Sequence, residues 1–412
     1  RESGERIVMA RTYQVLCFLA FILFVARPVS AQTIVIRAGK VVTSTEEGTV
    51  GPAVVVVKDG KITSVSPTAP GGLSSDVVRF EASFLTPGLI DARTTLGLSG
   101  LIPADEDRDE MTGPHQAHLR AIDAFDLSDP MLEYALRSGV TTVQSGPGKA
   151  NSIGGQAGIF KTYAASTEEA TVRFPSALVV SLAESAKMTY GKDRGFPSTR
   201  MANVGLIRQA FVDAEHYRKL RASDEAPDRD LKKEALALVL GGQIPALVSA
   251  ERVDEIATAM RLADEFDFKL MIVGATDAHL LVDKLAGSRV AVLLGPPRDA
   301  VFRTEWVGDL VELPSRLNER RVPFVLVSGD DEIAPRVSLL ERAQFAMRGG
   351  LDQEQALKAI TIDAARLLGI DDRVGSVEIG KDADLVLYDG GPFSTTTKVV
   401  AVLVDGKIAF QR

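Results

Sequence analysis

The stretch Phe84-Leu-Thr-Pro-Gly-Leu-Ile-Asp-Ala-Arg-Thr-Thr-Leu-Gly97 decides the interpretation of the fold. The apolar run from Leu85 to Ala92 predicts a buried β-strand. Side chains alternate along a strand, so Arg93 and Thr95 at its end point to the same side. A guanidinium has no lone pair to give, and a neutral threonine hydroxyl is a poor ligand for a divalent metal. These two positions are therefore not expected to bind a metal ion.

The segments around both ends of the chain have a β pattern. Residues 33–42 and 53–65 are rich in valine and isoleucine, and the pair Asp59-Gly60 predicts a tight hairpin turn. The same arrangement returns at Asp405-Gly406, within residues 399–410. Two matching segments at opposite ends predict one small β-sandwich domain, residues 32–84 plus 370–412, into which the rest of the chain is inserted.

Residues 85–369 contain eight short apolar runs, each followed by a helical pattern or a glycine-rich loop. Strands that alternate with helices predict a parallel sheet, and eight of them predict a closed (β/α)8 barrel. The fold class is thus α/β, a TIM-like barrel inserted in a small β-sandwich. The predicted strands are Leu85 to Ala92, Val140 to Gln144, Gly158 to Tyr163, Ala177 to Leu182, Pro245 to Ala250, Lys269 to Gly274, Val290 to Gly295 and Val322 to Ser328.

The first 31 residues are typical of a secretory signal peptide. An apolar run from Val15 to Ala26 follows Arg11 and leads to Val29-Ser30-Ala31, a small-residue cleavage site. We expect cleavage after Ala31 and a periplasmic or secreted protein. An uncleaved membrane anchor is the alternative.

The composition is that of an ordinary globular protein. The 412 residues are 45% hydrophobic and 25% charged, with a formal net charge of −8. An acidic balance gives no electrostatic support for nucleic acid or an anionic membrane as a partner.

Three motifs resemble the amidohydrolase superfamily, whose members are metal-dependent hydrolases of amide and cyclic amide bonds. They are Pro87-Gly-Leu-Ile-Asp91, Gly139-Val-Thr-Thr142 and Val374-Gly-Ser-Val-Glu-Ile-Gly-Lys-Asp-Ala-Asp-Leu-Val-Leu387. Pro147-Gly-Lys-Ala-Asn-Ser-Ile-Gly-Gly-Gln156 and Pro197-Ser-Thr-Arg-Met201 narrow the resemblance to exported, imidazolonepropionase-like members. The resemblance implies a catalytic site at the carboxyl ends of the barrel strands.

The resemblance also implies metal-binding histidines, and this sequence lacks most of them. Two histidines are expected at the end of strand one, where Arg93 and Thr95 stand. Strand five offers Ser249, followed two residues later by Glu251, and strand six offers Gly274. A hydrolytic metal site needs at least three protein ligands and an open position for water.

Two further residues are candidates for vestigial catalytic groups. Asp330, after strand eight, matches an aspartate that in the family binds metal and takes the proton of the attacking water. Lys161 is a weaker match to a carboxylated lysine ligand used by some members. We expect the Arg93 guanidinium to occupy the vacated metal cavity and to pair with Asp330 or its neighbour Asp331.

The glycine-rich run from Ser145 to Gly158 has neither a Gly-Lys-Ser/Thr ending nor a G-x-G-x-x-G pattern, which argues against nucleotide binding. We expect it to form a loop over the barrel mouth, with Asn151 and Gln156 as polar contacts to a ligand. The pair His115 and His118 lies in the loop after strand one, and its side chains are interpreted as solvent-facing or locally bonded rather than metal-binding.

The leading hypothesis is an exported amidohydrolase-fold protein that has lost its metal and its hydrolytic activity. Such a protein would act as a small-molecule-binding or partner subunit, as a homo-oligomer or beside an active relative, with no metal cofactor. Its predicted ligand-binding residues are Arg93, Thr95, Asn151, Gln156, Ser249, Glu251 and Asp331. The alternative is an active hydrolase of C–N bonds with one zinc or other divalent ion in a rebuilt site made of Asp330, Lys161, Glu251 and one displaced histidine.

Overall fold

The computed structural model describes residues 33–72, 77–100, 102, 106–191, 195–223, 226–295, 311–329 and 338–412. The predicted signal peptide and the pair Asp330 and Asp331 lie outside these ranges. The described strands are β1 Ile34–Val42, β2 Thr49–Val50, β3 Ala53–Lys58, β4 Lys61–Ser66, β5 Val78–Pro87, β6 Leu89–Thr94, β7 Val140–Ser145, β8 Ile153–Lys161, β9 Thr171–Ser181, β10 Ala246–Ala250, β11 Leu270–Gly274, β12 Ala291–Leu294, β13 Phe324–Leu326, β14 Leu385–Tyr388, β15 Val399–Val404 and β16 Lys407–Gln411.

The helices alternate with the strands of the central region. They are α1 Pro130–Arg137, α2 Thr167–Ala170, α3 Glu184–Gly191, α4 Arg200–Arg221, α5 Leu231–Leu240, α6 Val253–Phe266, α7 Val282–Ala286, α8 Leu313–Glu319, α9 Leu339–Arg348, α10 Gln353–Lys358 and α11 Ile362–Leu368, with short 3₁₀ turns at Ala121–Asp123 and Thr276–Leu280. None of the helices in the described ranges is long and apolar enough to cross a membrane.

The small domain is built from both ends of the chain, as predicted. Its sheet has the strand order β16-β15-β14-β5-β1-β3-β4, with β2 paired to β1. The two Asp-Gly turns connect β3 to β4 and β15 to β16, and both residues of each turn have positive φ. The two turns also touch, because a Cβ built on Gly60 would lie 2.9 Å from the carbonyl oxygen of Asp405.

The boundary between the two sheets lies three residues later than predicted. Leu85 to Pro87 belong to β5 of the small domain, and the barrel begins at Leu89. Gly88 permits this change of sheet, because a Cβ at that position would lie 2.1 Å from the Thr141 hydroxyl. One continuous apolar run thus contains the ends of two strands.

The second sheet is a nearly closed barrel of eight strands in the order β6 to β13, which confirms the predicted (β/α)8-like architecture. The ends of the sheet are joined beyond β13, where the Gly329 amide donates to the Arg93 carbonyl oxygen at 3.1 Å. The Ser328 amide also donates to Asp91 Oδ1 at 3.1 Å, and its hydroxyl donates to Oδ2. Interior side chains such as Ile90, Ala157 and Val273 fill the barrel.

The third barrel strand departs from the prediction, because β8 runs antiparallel to both β7 and β9. Residues 146–152 connect β7 to β8, which is too short for the helical crossover that a parallel pair requires. Consequently the end of β8 lies at the bottom of the barrel, with Lys161 opposite Thr142 of β7.

Candidate functional site at the barrel mouth

The carboxyl ends of the parallel strands define the barrel mouth, where function resides in this architecture. Arg93, at the end of β6, is fully buried. Its guanidinium donates to the carbonyl oxygens of Thr94 at 3.4 Å and Gly146 at 3.3 Å, and also to that of Pro147. The arginine therefore holds the chain that leaves β7. The predicted partners Asp330 and Asp331 lie outside the described residues, so that pairing stays a prediction.

Thr95 and Ser249 occupy two further positions at which the resemblance implies histidine. The Thr95 hydroxyl shares a hydrogen bond of 2.7 Å with Ser99. Ser249 is buried in β10, level with Ser181 of β9 and Val273 of β11. Both residues have short hydroxyl side chains, and both are buried.

Glu251 occupies the space that a histidine on strand six would need. Its carboxylate is buried and accepts a hydrogen bond from the Thr276 hydroxyl at 2.6 Å. A Cβ built on Gly274 would lie 2.4 Å from the carboxylate atoms of Glu251, and Gly274 has a φ of +90°. The position of the Glu251 carboxylate therefore requires glycine at position 274, because any side chain there would displace the carboxylate.

Lys149 was not identified from the sequence, yet it lies in this site. Its side chain is 7% exposed, and its Nζ is 3.9 Å from Glu251 Oε1. Its carbonyl oxygen accepts a hydrogen bond from the Ser185 hydroxyl at 2.7 Å, which fixes the glycine-rich loop against α3. The signal in the sequence was a lysine just beyond the end of a barrel strand, within a loop otherwise made of small residues.

Asp91 is a second group that sequence reasoning did not select. Burial raises the pKa of Asp91 to about 6, although hydrogen bonds from Ser328 and the nearby Arg93 oppose the shift. Its role in the fold is to join β6 to the residues that follow β13.

Asn151 and Gln156, predicted as ligand contacts, form hydrogen bonds with the loop that contains Glu110 and Ala117. Asn151 Nδ2 donates to the Glu110 carbonyl oxygen at 2.9 Å, and the Tyr190 hydroxyl donates to Asn151 Oδ1. Gln156 Nε2 donates to the Ala117 carbonyl oxygen at 3.2 Å. Burial, together with the nearby carboxylates of Asp109 and Glu110, raises the pKa of Tyr190 to about 12.

Lys161 does not belong to the mouth, which corrects its predicted catalytic role. The reversed direction of β8 puts it at the bottom of the barrel, where its Nζ lies 2.8 Å from Asp384 and 2.9 Å from Asp405 of the small domain. Asp382 lies 3.5 Å away. Burial would lower the pKa of Lys161, but the three carboxylates outweigh burial and raise it. An ammonium held in this way is not available for carboxylation.

Comparison with known proteins supports the same family over most of the chain. Residues 309–409 match the amidohydrolase family. The chain is 26% identical over 382 residues to an imidazolonepropionase of Shewanella frigidimarina, covering 83% of this chain and 87% of the relative. It is 26% identical over 392 residues to the amidohydrolase tasK of Hapsidospora irregularis, but it spans 40% of that protein's length.

Solved structures with this fold include an amidohydrolase from Thermotoga maritima. That protein is 34% identical, with a TM-score of 0.86, and the match covers 92% of this chain and 100% of the other. An adenosine deaminase from Xanthomonas campestris with bound zinc shares the fold at 20% identity and a TM-score of 0.55, over 91% of this chain and 92% of the other.

The expectation that the protein has no metal cofactor is contradicted by these comparisons. Amidohydrolases are typically metal-dependent, and the adenosine deaminase carries zinc. The mouth residues described above do not fit the family's ion, since Arg93 and Lys149 are cations, and threonine, serine and glycine stand at positions 95, 249 and 274, where the resemblance implies histidine. Within the described ranges, no group of three or more histidine, cysteine, aspartate or glutamate side chains is placed to hold a metal ion.

The barrel, the small domain and the 34% identity to the whole of the Thermotoga protein lead to one conclusion. The chain belongs to the amidohydrolase family.

Proposed function

We propose that the protein is an exported amidohydrolase-fold protein whose barrel mouth binds a small amide or cyclic amide without hydrolysing it. In this role it would serve as a ligand-binding subunit, as a homo-oligomer or beside an active relative. The observation that carries the proposal is the buried Glu251 carboxylate, which stands beside Gly274 and opposite Lys149.

Lys149 and Glu251 lie close enough for their charged atoms to contact, side by side, the two polar groups on one edge of a cyclic amide. Their charged atoms are 3.9 Å apart, longer than a direct hydrogen bond, while both side chains are almost fully buried. An amide has one acceptor and one donor, so its carbonyl oxygen can accept from Lys149 and its N–H can donate to Glu251. Hydrogen bonds to charged partners are stronger than those between neutral groups.

The residues around this pair favour binding over turnover. A hydrolase needs a group that takes a proton from water in the transition state. The Arg93 guanidinium has no lone pair with which to accept a proton, and the Thr95 hydroxyl is already shared with Ser99. The Glu251 carboxylate is already engaged within the protein, because it accepts a hydrogen bond from the Thr276 hydroxyl and lies 3.9 Å from Lys149 Nζ.

A second candidate is an active amidohydrolase with a rebuilt site, in which Glu251 acts as general base. Family membership favours it, because the relatives include an amidohydrolase and imidazolonepropionases. The two candidates differ in the fate of a bound amide.

Calorimetric titration with hydantoin, a cyclic amide, tests the proposal, with chromatography of the same samples to detect hydrolysis. We expect saturable binding, no product, and affinity about tenfold weaker in Lys149→Met and in Glu251→Gln, since each loses one charge-assisted hydrogen bond. Lys219→Met is the matched control, because that lysine is 69% exposed and pairs with Glu215 on the same helix. Product that accumulates in the wild type but not in Glu251→Gln would establish the second candidate. Binding that both mouth variants leave unchanged would place the ligand elsewhere.

A further inference from the structure

A cavity lies against the first half of α4, and none of its lining residues belongs to the barrel mouth. Its volume is about 530 Å³, within the range of small-molecule sites. Its charged lining residues are Asp213, Asp230, Lys232 and Lys233, and His115, Phe196 and Leu206 also line it.

Gly205 creates much of the open space. It lies inside α4, and a Cβ built on it would meet no atom within 4 Å. Glycine in a helix interior is less favourable than alanine. A side chain larger than hydrogen at this position would extend into the cavity without contacting the core.

The walls of the cavity are partly apolar. The phenyl ring of Phe196 is 59% exposed, and Leu206 is half-buried beside it on the cavity side of α4. An exposed aromatic ring at the edge of a cavity can stack on a flat apolar ligand.

Two carboxylates and two ammonium groups line the cavity, and one of the carboxylates, Asp213, accepts a hydrogen bond from Gln209 Nε2 at 2.8 Å. Asp230 caps α5 by accepting from the Lys232 and Lys233 amides, and its carboxylate pairs with Lys233 Nζ at 3.0 Å. In the part of the chain that the structure describes, no carboxylate lies within ion-pair distance of Lys232. Burial and the Lys232 charge lower the pKa of His115 to about 4, so this imidazole is neutral near pH 7.

We propose that this cavity binds a small aromatic carboxylate, with the ring against Phe196 and Leu206 and the carboxylate on Lys232. Such a ligand has two parts that match the cavity. The apolar wall would contact its flat ring, and the Lys232 ammonium would bind its carboxylate. Asp230 forms its ion pair with Lys233 and not with Lys232. This site is independent of the amide site proposed at the mouth.

The test is a fluorescence titration with 2-naphthoate, with the uncharged 2-naphthamide as the matched probe. We expect Lys232→Met to weaken 2-naphthoate about tenfold and to leave 2-naphthamide unchanged. Gly205→Leu should abolish binding of both probes by filling the cavity, while Gly205→Ala should retain binding. Both substitutions should preserve the fold, since leucine and alanine favour the helix more than glycine does.

A second readout is the ring-proton NMR signal of His115, which should shift on addition of 2-naphthoate and stay unshifted in Gly205→Leu. Absence of saturable binding to the wild type would overturn the proposal. So would equal affinity in wild type and Gly205→Leu. Loss of 2-naphthoate binding in Glu251→Gln, with Gly205→Leu unaffected, would assign the probe to the barrel mouth instead.

Discussion

Replacement of Lys161 by methionine should destabilise the protein strongly, because this lysine neutralises acids buried between the barrel and the small domain. Its side chain is 1% exposed, and Asp384, 2.8 Å away, is 2% exposed. Asp382 would keep Lys61 and Arg373 as partners. Among the described residues, the Asp384 carboxylate would keep the Asp405 amide at 2.9 Å and the long contact from Thr142. Breaking a buried ion pair from one side costs about 3 to 5 kcal/mol.

The loss of unfolding free energy in Lys161→Met should increase as pH rises. Burial already raises the pKa of Asp405, and Lys161 opposes that shift. Without the lysine the folded-state pKa of Asp405 rises further above its unfolded value. Its contribution to stability is then present below about pH 4 and is lost as pH rises through the folded-state pKa. The deficit of Lys161→Met relative to wild type should therefore be larger near pH 7 than near pH 4.

Urea denaturation followed by circular dichroism at both pH values measures this deficit. Lys219→Met is the control, since Lys219 pairs with Glu215 on the surface of α4 and both side chains are exposed. Its loss should be at most about 1 kcal/mol. A loss below about 1 kcal/mol for Lys161→Met, or a deficit independent of pH, would refute this reasoning.

Three further predictions concern the mouth and the N-terminus. The folded-state pKa of Asp91, about 6, lies above its unfolded value, so stability should fall by about 3 kcal/mol as pH rises from about 4 to 7, and Asp91→Asn should flatten this part of a denaturation profile. Gly274→His should lower the unfolding free energy by about 1 to 3 kcal/mol, because the new Cβ meets the Glu251 carboxylate at positive φ; a histidine tolerated without loss in thermal denaturation would count against the packing described. N-terminal sequencing of exported protein should begin at Gln32, and a sequence beginning earlier would argue for the uncleaved anchor.

The architecture was predictable because buried barrel strands are continuous apolar runs that residue patterns reveal. Each of the eight predicted runs overlaps a barrel strand. The hairpins at Asp59 and Asp405 were predictable for a different reason, since Asp-Gly pairs favour the positive φ values that tight turns need.

The direction of β8 and the end of β5 were not predictable in the same way. Apolar runs carry no information on strand direction, and only the short connection over residues 146–152 could have indicated an antiparallel pair. The run from Leu85 to Ala92 contributes apolar residues to both sheets. Composition alone therefore did not indicate a boundary at Gly88.

The site was predicted in part. Glu251 and Gly274 were both selected from the sequence, but their mutual packing depends on the distance between neighbouring strands. Lys149 and the partners of Lys161 join segments far apart in the chain, and such contacts require the fold to be known.

The most direct test of the central claim is the fate of cyclic amides and dipeptides incubated with the wild-type protein, with zinc and manganese supplied because the family is typically metal-dependent. Chromatographic product analysis should show no more hydrolysis than buffer, while hydantoin binds saturably and depends on Lys149 and Glu251. Turnover above buffer that disappears in Glu251→Gln would contradict the claim and establish a hydrolase.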